Sequence, residues 1–300
     1  MVERRLNSDI AGSIALFQST MKSFEIRTKM YRTMLKGRGL EFDGYRDYSA
    51  DDDANLIDWK ASMKTNKILA KQYTEERNLK IIFVIDVGEN MVFGSTDKLK
   101  CEYAAEVVAA LSNLILSARD KVGYIFFGET IKEFVPPTFG KTHFVRFMNS
   151  LTSASTYGGD SRLENALNFV LNYVDKSVAS IILVSDFIKI NDKVKNKLGL
   201  VANTFETMAL IIRDPMDKNL PDIHAELVLE DPSSHERILI NPSLAKKNYE
   251  KFVLEQEISL MKNFLDLNID VLELTTDKPF VANLATFIKQ RAKSKKSVVL

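Results

Sequence analysis

Leu79-Lys80-Ile81-Ile82-Phe83-Val84-Ile85-Asp86-Val87-Gly88-Glu89-Asn90-Met91 decides the fold. Five consecutive apolar residues, Ile81 to Ile85, run without alternation into Asp86. An unbroken apolar run of this length predicts a strand covered on both faces, as in the middle of a parallel sheet. Asp86 then stands where the strand stops. In open α/β sheets ligands bind outside the carboxyl ends of the strands, so an acid followed by small and polar residues there is a site candidate.

Working outward, the periods alternate as they do in βαβ units. Downstream, a helix is expected over Asp97 to Ala118 with Ser95-Thr96 as its caps, then a strand over Val122 to Phe127. Ile131 to Val135 is expected to return as an antiparallel edge or hairpin partner, stopped by Pro136-Pro137. Helices over 141–151 and 162–175 precede a second buried strand, Ala179 to Ser185, which also ends in an acid, Asp186. A helix near 191–202, a strand Thr207 to Ile212, a hairpin insertion at about 223–240, a long helix 243–267, a strand Asp270 to Leu274 and a last helix to near Arg291 complete the pattern. The expected fold class is α/β, a doubly wound, mostly parallel sheet spanning 79–292. It is preceded by a helical and β-like arm at 1–78 and followed by a basic tail at 293–300.

Composition narrows the function. Lys+Arg at 41 against Asp+Glu at 40 gives no global attraction to phosphate backbones, which argues against nucleic acid as the main partner. A single cysteine, Cys101, rules out an internal disulfide framework and reads as a core residue in a reducing compartment. No uncharged run approaches the roughly 18 to 20 residues that a bilayer span needs, and the polar N-terminus does not resemble a signal peptide, so a cytoplasmic protein is expected. Enzyme signatures are missing: there is no phosphate loop, no nucleophile elbow and no paired-histidine helix, and His143, His224 and His235 have no metal-ligand spacing.

Two strand-end carboxylates near hydroxyl- and glycine-rich loops suit an oxygen-lined site for a hard divalent ion. Asp86-x-Gly88-x-Asn90, Gly158-Gly159-Asp160-Ser161 and Ser185-Asp186 resemble the metal-ion-dependent adhesion site of von Willebrand factor A domains. That resemblance implies Asp86, Asn90, Ser161 and Asp186 as metal residues. The family's Asp-x-Ser-x-Ser is degenerate here, because Gly88 has no side-chain ligand and Asn90 offers only an amide carbonyl. Two readings stay open: a metal-free hydrogen-bonded cluster, in which no cofactor is required, or weak Mg²⁺ or Ca²⁺ binding.

A wider resemblance covers most of the chain. Gly37-Arg38-Gly39-Leu40-Glu41-Phe42, Tyr45-Arg46-Asp47-Tyr48, Asp51-Asp52, Ile57-Asp58-Trp59-Lys60, Lys71-Gln72 and Glu75-Glu76 resemble the signature of the DUF58 family in its short form without N-terminal membrane helices. Ala50 stands where that pattern has glycine. The resemblance implies a protein partner, a MoxR-type AAA+ ATPase, and an adaptor role in complex assembly or maturation. In the arm, Trp59 is expected to be buried as a clamp, with Arg46 paired to Asp51, Asp52 or Asp58. A partner contact by this segment, including Lys60, is the alternative. The expected function is a non-enzymatic protein-interaction module that uses the degenerate adhesion site, its ligand approaching the edge that carries Asp86, Asn90, Ser161 and Asp186. The rival readings are a metal-dependent hydrolase using the strand-end aspartates and a structural scaffold of a membrane-associated complex.

Overall fold

The computed structural model describes residues 5–21, 40–49, 52, 54–75, 78–188, 190–222, 225–230 and 237–293. Helix α1 (Ile10–Thr20) starts at Asp9, whose carboxylate accepts the Gly12 amide. Strand β1 (Leu40–Asp47), helix α2 (Trp59–Thr65) and strand β2 (Leu69–Glu75) make up the arm, with β1 and β2 paired antiparallel. Gly37, Arg38, Gly39, Ala50, Asp51 and Glu76 of the signature lie outside the described residues.

The large sheet begins with β3 (Lys80–Asp86), followed by α3 (Lys100–Ser117), β4 (Lys121–Phe127), β5 (Ile131–Thr138), α4 (Lys141–Thr152), α5 (Leu163–Tyr173), β6 (Ser180–Ser185), α6 (Asp192–Thr204) and β7 (Glu206–Arg213). After the short helix α7 (Pro215–Lys218) come the hairpin strands β8 (Leu227–Glu230) and β9 (Arg237–Ile240), then α8 (Pro242–Asp266), β10 (Asp270–Thr275) and α9 (Phe280–Lys293). The hairpin's turn, with His235, and the residues from 294 onward lie outside the described residues, as does His224.

Strand order is β10-β7-β6-β3-β4-β5, parallel throughout except for β5. This is the doubly wound α/β architecture expected from the alternating periods. Consecutive β3 side chains point to opposite faces, as strand geometry requires. Ile81, Phe83 and Ile85 enter one core with residues of α1, α3, α4 and α9, while Ile82 and Val84 enter a second core with residues of α5, α6 and α8. Both faces of β3 are therefore covered, which is why its sequence lacks alternation.

Three expectations need correction. Pro136 and Pro137 do not stop β5, which runs on to Thr138; an edge strand tolerates the missing N–H groups. Ser95 and Thr96 do not cap α3, which begins at Lys100, where the Glu102 carboxylate accepts the Leu99 amide at 3.0 Å. Trp59 is 65% exposed, and no residue of 40–75 joins either core cluster among the described residues, so Trp59 is no clamp against the large domain. It opens α2, a helix that the sequence reading lacked, and the helix turns its indole outward.

Candidate functional site

The chain order places the site. Beyond β3 it moves to β4 and β5 on one side, then returns to β6 on the other, so the loops after β3 and β6 diverge and leave a crevice at the switch point. Asp86 ends β3 and Asp186 follows β6, and they flank that crevice on the same rim.

Both carboxylates are buried, at 1% and 3% exposure. Asp86 Oδ1 accepts the Gly88 amide at 2.9 Å. Its Oδ2 accepts the Ser161 hydroxyl at 2.8 Å, the Ser185 hydroxyl at 2.7 Å and the Asn90 amide nitrogen at 3.1 Å. The same Asn90 nitrogen donates to Asp186 Oδ2 at 3.0 Å and ties the two acids together. Asp186 Oδ2 also accepts the Lys100 ammonium at 2.9 Å. Lys100 is itself 2% exposed, reaches Asp217 Oδ2 at 3.1 Å and lies 5.7 Å from the centre of the Phe93 ring.

Protonation follows this geometry. Burial, and then the nearby charge of Asp186, push the Asp86 carboxyl up to about 6, although the hydroxyl and amide donors pull it back. Burial alone would also raise Asp186, but the Lys100 ammonium outweighs it and holds that carboxyl below the ordinary carboxylate range. For Lys100, burial opposes the charge, and the two aspartates outweigh it and hold the ammonium above its usual value. The charges on Asp186 and Lys100 thus support each other.

The sequence-expected residues Asp86, Asn90, Ser161 and Asp186 converge here. Ser161, and not Asp160, reaches Asp86; the Asp160 carboxylate lies 3.4 Å from Arg162 Nε. Asn90 presents its NH₂ group to the acids, not its carbonyl, and Oδ1 is buried without a partner. Turning the amide over would set that oxygen against two carboxylate oxygens. Gly88 explains how the carbonyl is housed: a Cβ there would lie 2.5 Å from Asn90 Oδ1 and 2.7 Å from Ser161 Cβ. Its missing side chain is room for Asn90, besides being a missing ligand. The neighbouring loop is held by Gly158 N donating to Val87 O and Glu89 N donating to Gly159 O, with positive φ at both glycines.

A hard divalent ion needs converging oxygen lone pairs. This constellation turns an amide NH₂ and an ammonium toward Asp186, and three side-chain donors toward one oxygen of Asp86. Among the described residues no three His, Cys, Asp or Glu side chains form a metal-holding group. The donor set does not fit the ion that the resemblance implied.

Sequence reading quoted Ser185 beside Asp186 without giving it a role, and it missed Lys100, Asp217 and Asp214 as members of this rim. Asp214 is fully buried at the end of β7 and accepts the Ser95 amide and hydroxyl, the Met216 amide and the Thr276 hydroxyl. A third strand followed by an acid was visible as Arg213-Asp214-Pro215. Nothing in the sequence separates Lys100 from Lys98 as the buried cation. Outside the rim, His143 Nε2 lies 2.8 Å from the Val122 carbonyl and its ring stacks near Tyr124, a structural position.

In the arm, Arg46 makes a bidentate pair with Asp52 at 2.5 Å for both bonds. This hydrogen bond, with the Ser49 amide, holds the Asp52 carboxyl down to about 2. Asp58 caps α2, accepting the Lys60 and Ala61 amides at 3.1 and 3.0 Å, and also accepts the Tyr45 hydroxyl at 3.0 Å. Asp51, the remaining arm candidate, lies outside the described residues.

Comparison with known proteins agrees with the wider resemblance. The sequence pattern of the family described as protein of unknown function DUF58 matches residues 44–258. The uncharacterized protein Rv1480 of Mycobacterium tuberculosis is 22% identical over 261 residues, covering 86% of this chain and 81% of that protein. The uncharacterized protein MAV169 of Mycobacterium avium is 27% identical over 113 residues, covering 37% and 64%. Among solved structures, the conserved hypothetical protein BatB from Bacteroides thetaiotaomicron aligns with a TM-score of 0.44 at 14% identity, covering 72% of this chain and all of that one. An aerotolerance-related membrane protein from Bacteroides fragilis aligns with a TM-score of 0.42 at 13% identity, covering 72% and 99%.

Proposed function

Because the chain belongs to the DUF58 family of proteins of unknown function, we propose that it acts as a non-enzymatic interaction module or adaptor, with a MoxR-type AAA+ ATPase as partner in complex assembly or maturation. The observation that carries this reading is the outer face of α2. Trp59 at 65% and Met63 at 77% exposure are four residues apart, so they share one face of the helix, inside the family-matched segment. Large apolar side chains left in water at helical spacing are the raw material of a binding hot spot, and tryptophan is among the residues most enriched there. The Asp58 cap and the Arg46–Asp52 pair fix the helix and its approach, so little ordering entropy is lost when a partner binds.

The rim supports this reading less directly. Its carboxylates are already engaged and buried, so a partner meets the surrounding loop edges there, among them the half-buried Asn90 and Ser161 and the exposed Gly159. A cytoplasmic location belongs to the same proposal. Among the described residues no helix is long and apolar enough to cross a membrane.

Trp59 is the single tryptophan, so its fluorescence reports the surface directly. Adding a MoxR-type AAA+ ATPase from the same organism, with ATP or ADP, is expected to shift the emission to the blue and protect it from iodide. Trp59→Ala with Met63→Ala is expected to weaken association at least about tenfold with the fold intact. Association that is undiminished in the double variant, or absent under every nucleotide condition, overturns the reading.

A further inference from the structure

We infer that Lys100 is the built-in cation of the strand-end cluster: its ammonium takes the electrostatic place of a divalent ion, and the intact rim takes up no Mg²⁺, Ca²⁺ or Mn²⁺. Four observations meet on this point. Lys100 is 2% exposed and its Nζ lies 2.9 Å from Asp186 Oδ2 and 3.1 Å from Asp217 Oδ2, so a buried positive charge is already bonded to the acid that an ion would need. Asn90 bridges Asp86 and Asp186 through its NH₂ group, which puts N–H hydrogens where lone pairs would have to converge. The carbonyl that could have served as a ligand is housed instead in the space that Gly88 leaves open. The ion pair lies on the first residue of α3, so its position is set by the helix start and not by a mobile loop.

The exchange has a mechanical consequence. A bound metal with an open coordination position can be completed by an acid from a partner, whereas an ammonium at 2% exposure cannot be reached. Contact at this rim therefore proceeds without an ion bridge between partner and protein.

The test uses the full chain with Mn²⁺, Mg²⁺ or Ca²⁺ as the probe, followed by titration calorimetry and thermal unfolding. Wild type is expected to show no saturable heat and no change in Tm at millimolar ion. Lys100→Met, which removes the charge and keeps most of the stem, is expected to lower Tm and to gain saturable Mn²⁺ binding that restores part of it. Adding Asp186→Asn to that variant is expected to abolish the gain. Saturable binding to wild type that Asp186→Asn removes overturns the inference, as does a folded Lys100→Met protein that binds none of the three ions. Lys100→Arg keeps the charge and is expected to stay as insensitive to metal as wild type; metal uptake by that variant also counts against it. Should Lys100→Met not fold, the wild-type titration decides.

Discussion

Two ion pairs in this molecule use the same chemistry to opposite ends. Arg46–Asp52 in the arm is bidentate and short, yet its side chains are 42% and 14% exposed; Lys100–Asp186 at the rim is single and longer, with both side chains at 4% or less. Solvent screens the arm pair, so it fixes a turn and contributes little else. The rim pair has no water to replace a lost partner, and removing one member strands a buried charge. The same contrast extends to the apolar residues: the rim sits on two closed cores, while the arm exposes Trp59 and Met63. Stability resides in the first region and presentation in the second.

The contrast can be broken or sharpened experimentally. The largest effect is expected from Lys100→Ala, which leaves the buried Asp186 carboxylate without its cation and should cost about 3–5 kcal/mol in urea unfolding. A loss below about 1 kcal/mol would mean that the rim is wetter than its burial indicates.

Gly88→Ser should cost about 1–3 kcal/mol by overpacking, because its Cβ would meet Asn90 Oδ1 and Ser161 Cβ well inside contact distance. An unchanged midpoint would show that the Asn90 carbonyl is free to move aside.

pH separates the two acids. Asp86 is raised, so its proton is bound more tightly in the folded state, and the stability that this proton provides is lost as pH rises through about 6. Asp186 is depressed, so its contribution is present above the ordinary carboxylate range and is lost as pH falls. Asp86→Asn mimics the protonated form. It should therefore gain on wild type by about 1–3 kcal/mol between roughly pH 4 and pH 8, measured by urea midpoints at each pH. A constant difference across that range would mean that Asp86 ionises as an ordinary surface acid does.

Cys101 tests the packing of α3 just beyond Lys100. Its thiol is fully buried, and burial pushes it up to about 12, so alkylation at mildly alkaline pH should be slow in native protein and fast in urea. Rapid native labelling would show that the start of this helix opens.

The smallest stability effect is expected in the arm: Trp59→Ala should move the unfolding midpoint by less than about 0.5 kcal/mol while weakening partner association. A large loss of stability would return Trp59 to the clamp role that the sequence suggested.

What the sequence determined by itself is the framework. A short, β-branched-rich apolar run with no alternation, set among alternating strand and helix periods, reads as a strand covered on both faces, and acids directly after two such strands fall on one rim once the strands are parallel, so β3, β6, Asp86 and Asp186 were legible. Local patterns were less secure where competing partners exist. Ser95 has the residue type of a helix cap, but it bonds Asp214, which follows β7, 119 positions away. Tertiary structure alone decided which lysine is buried, which way the Asn90 amide faces and whether Trp59 lies inside or out. Those outcomes depend on the distances between elements remote in sequence, and the low-dielectric interior turns a few ångströms into the difference between a solvated charge and a resident one.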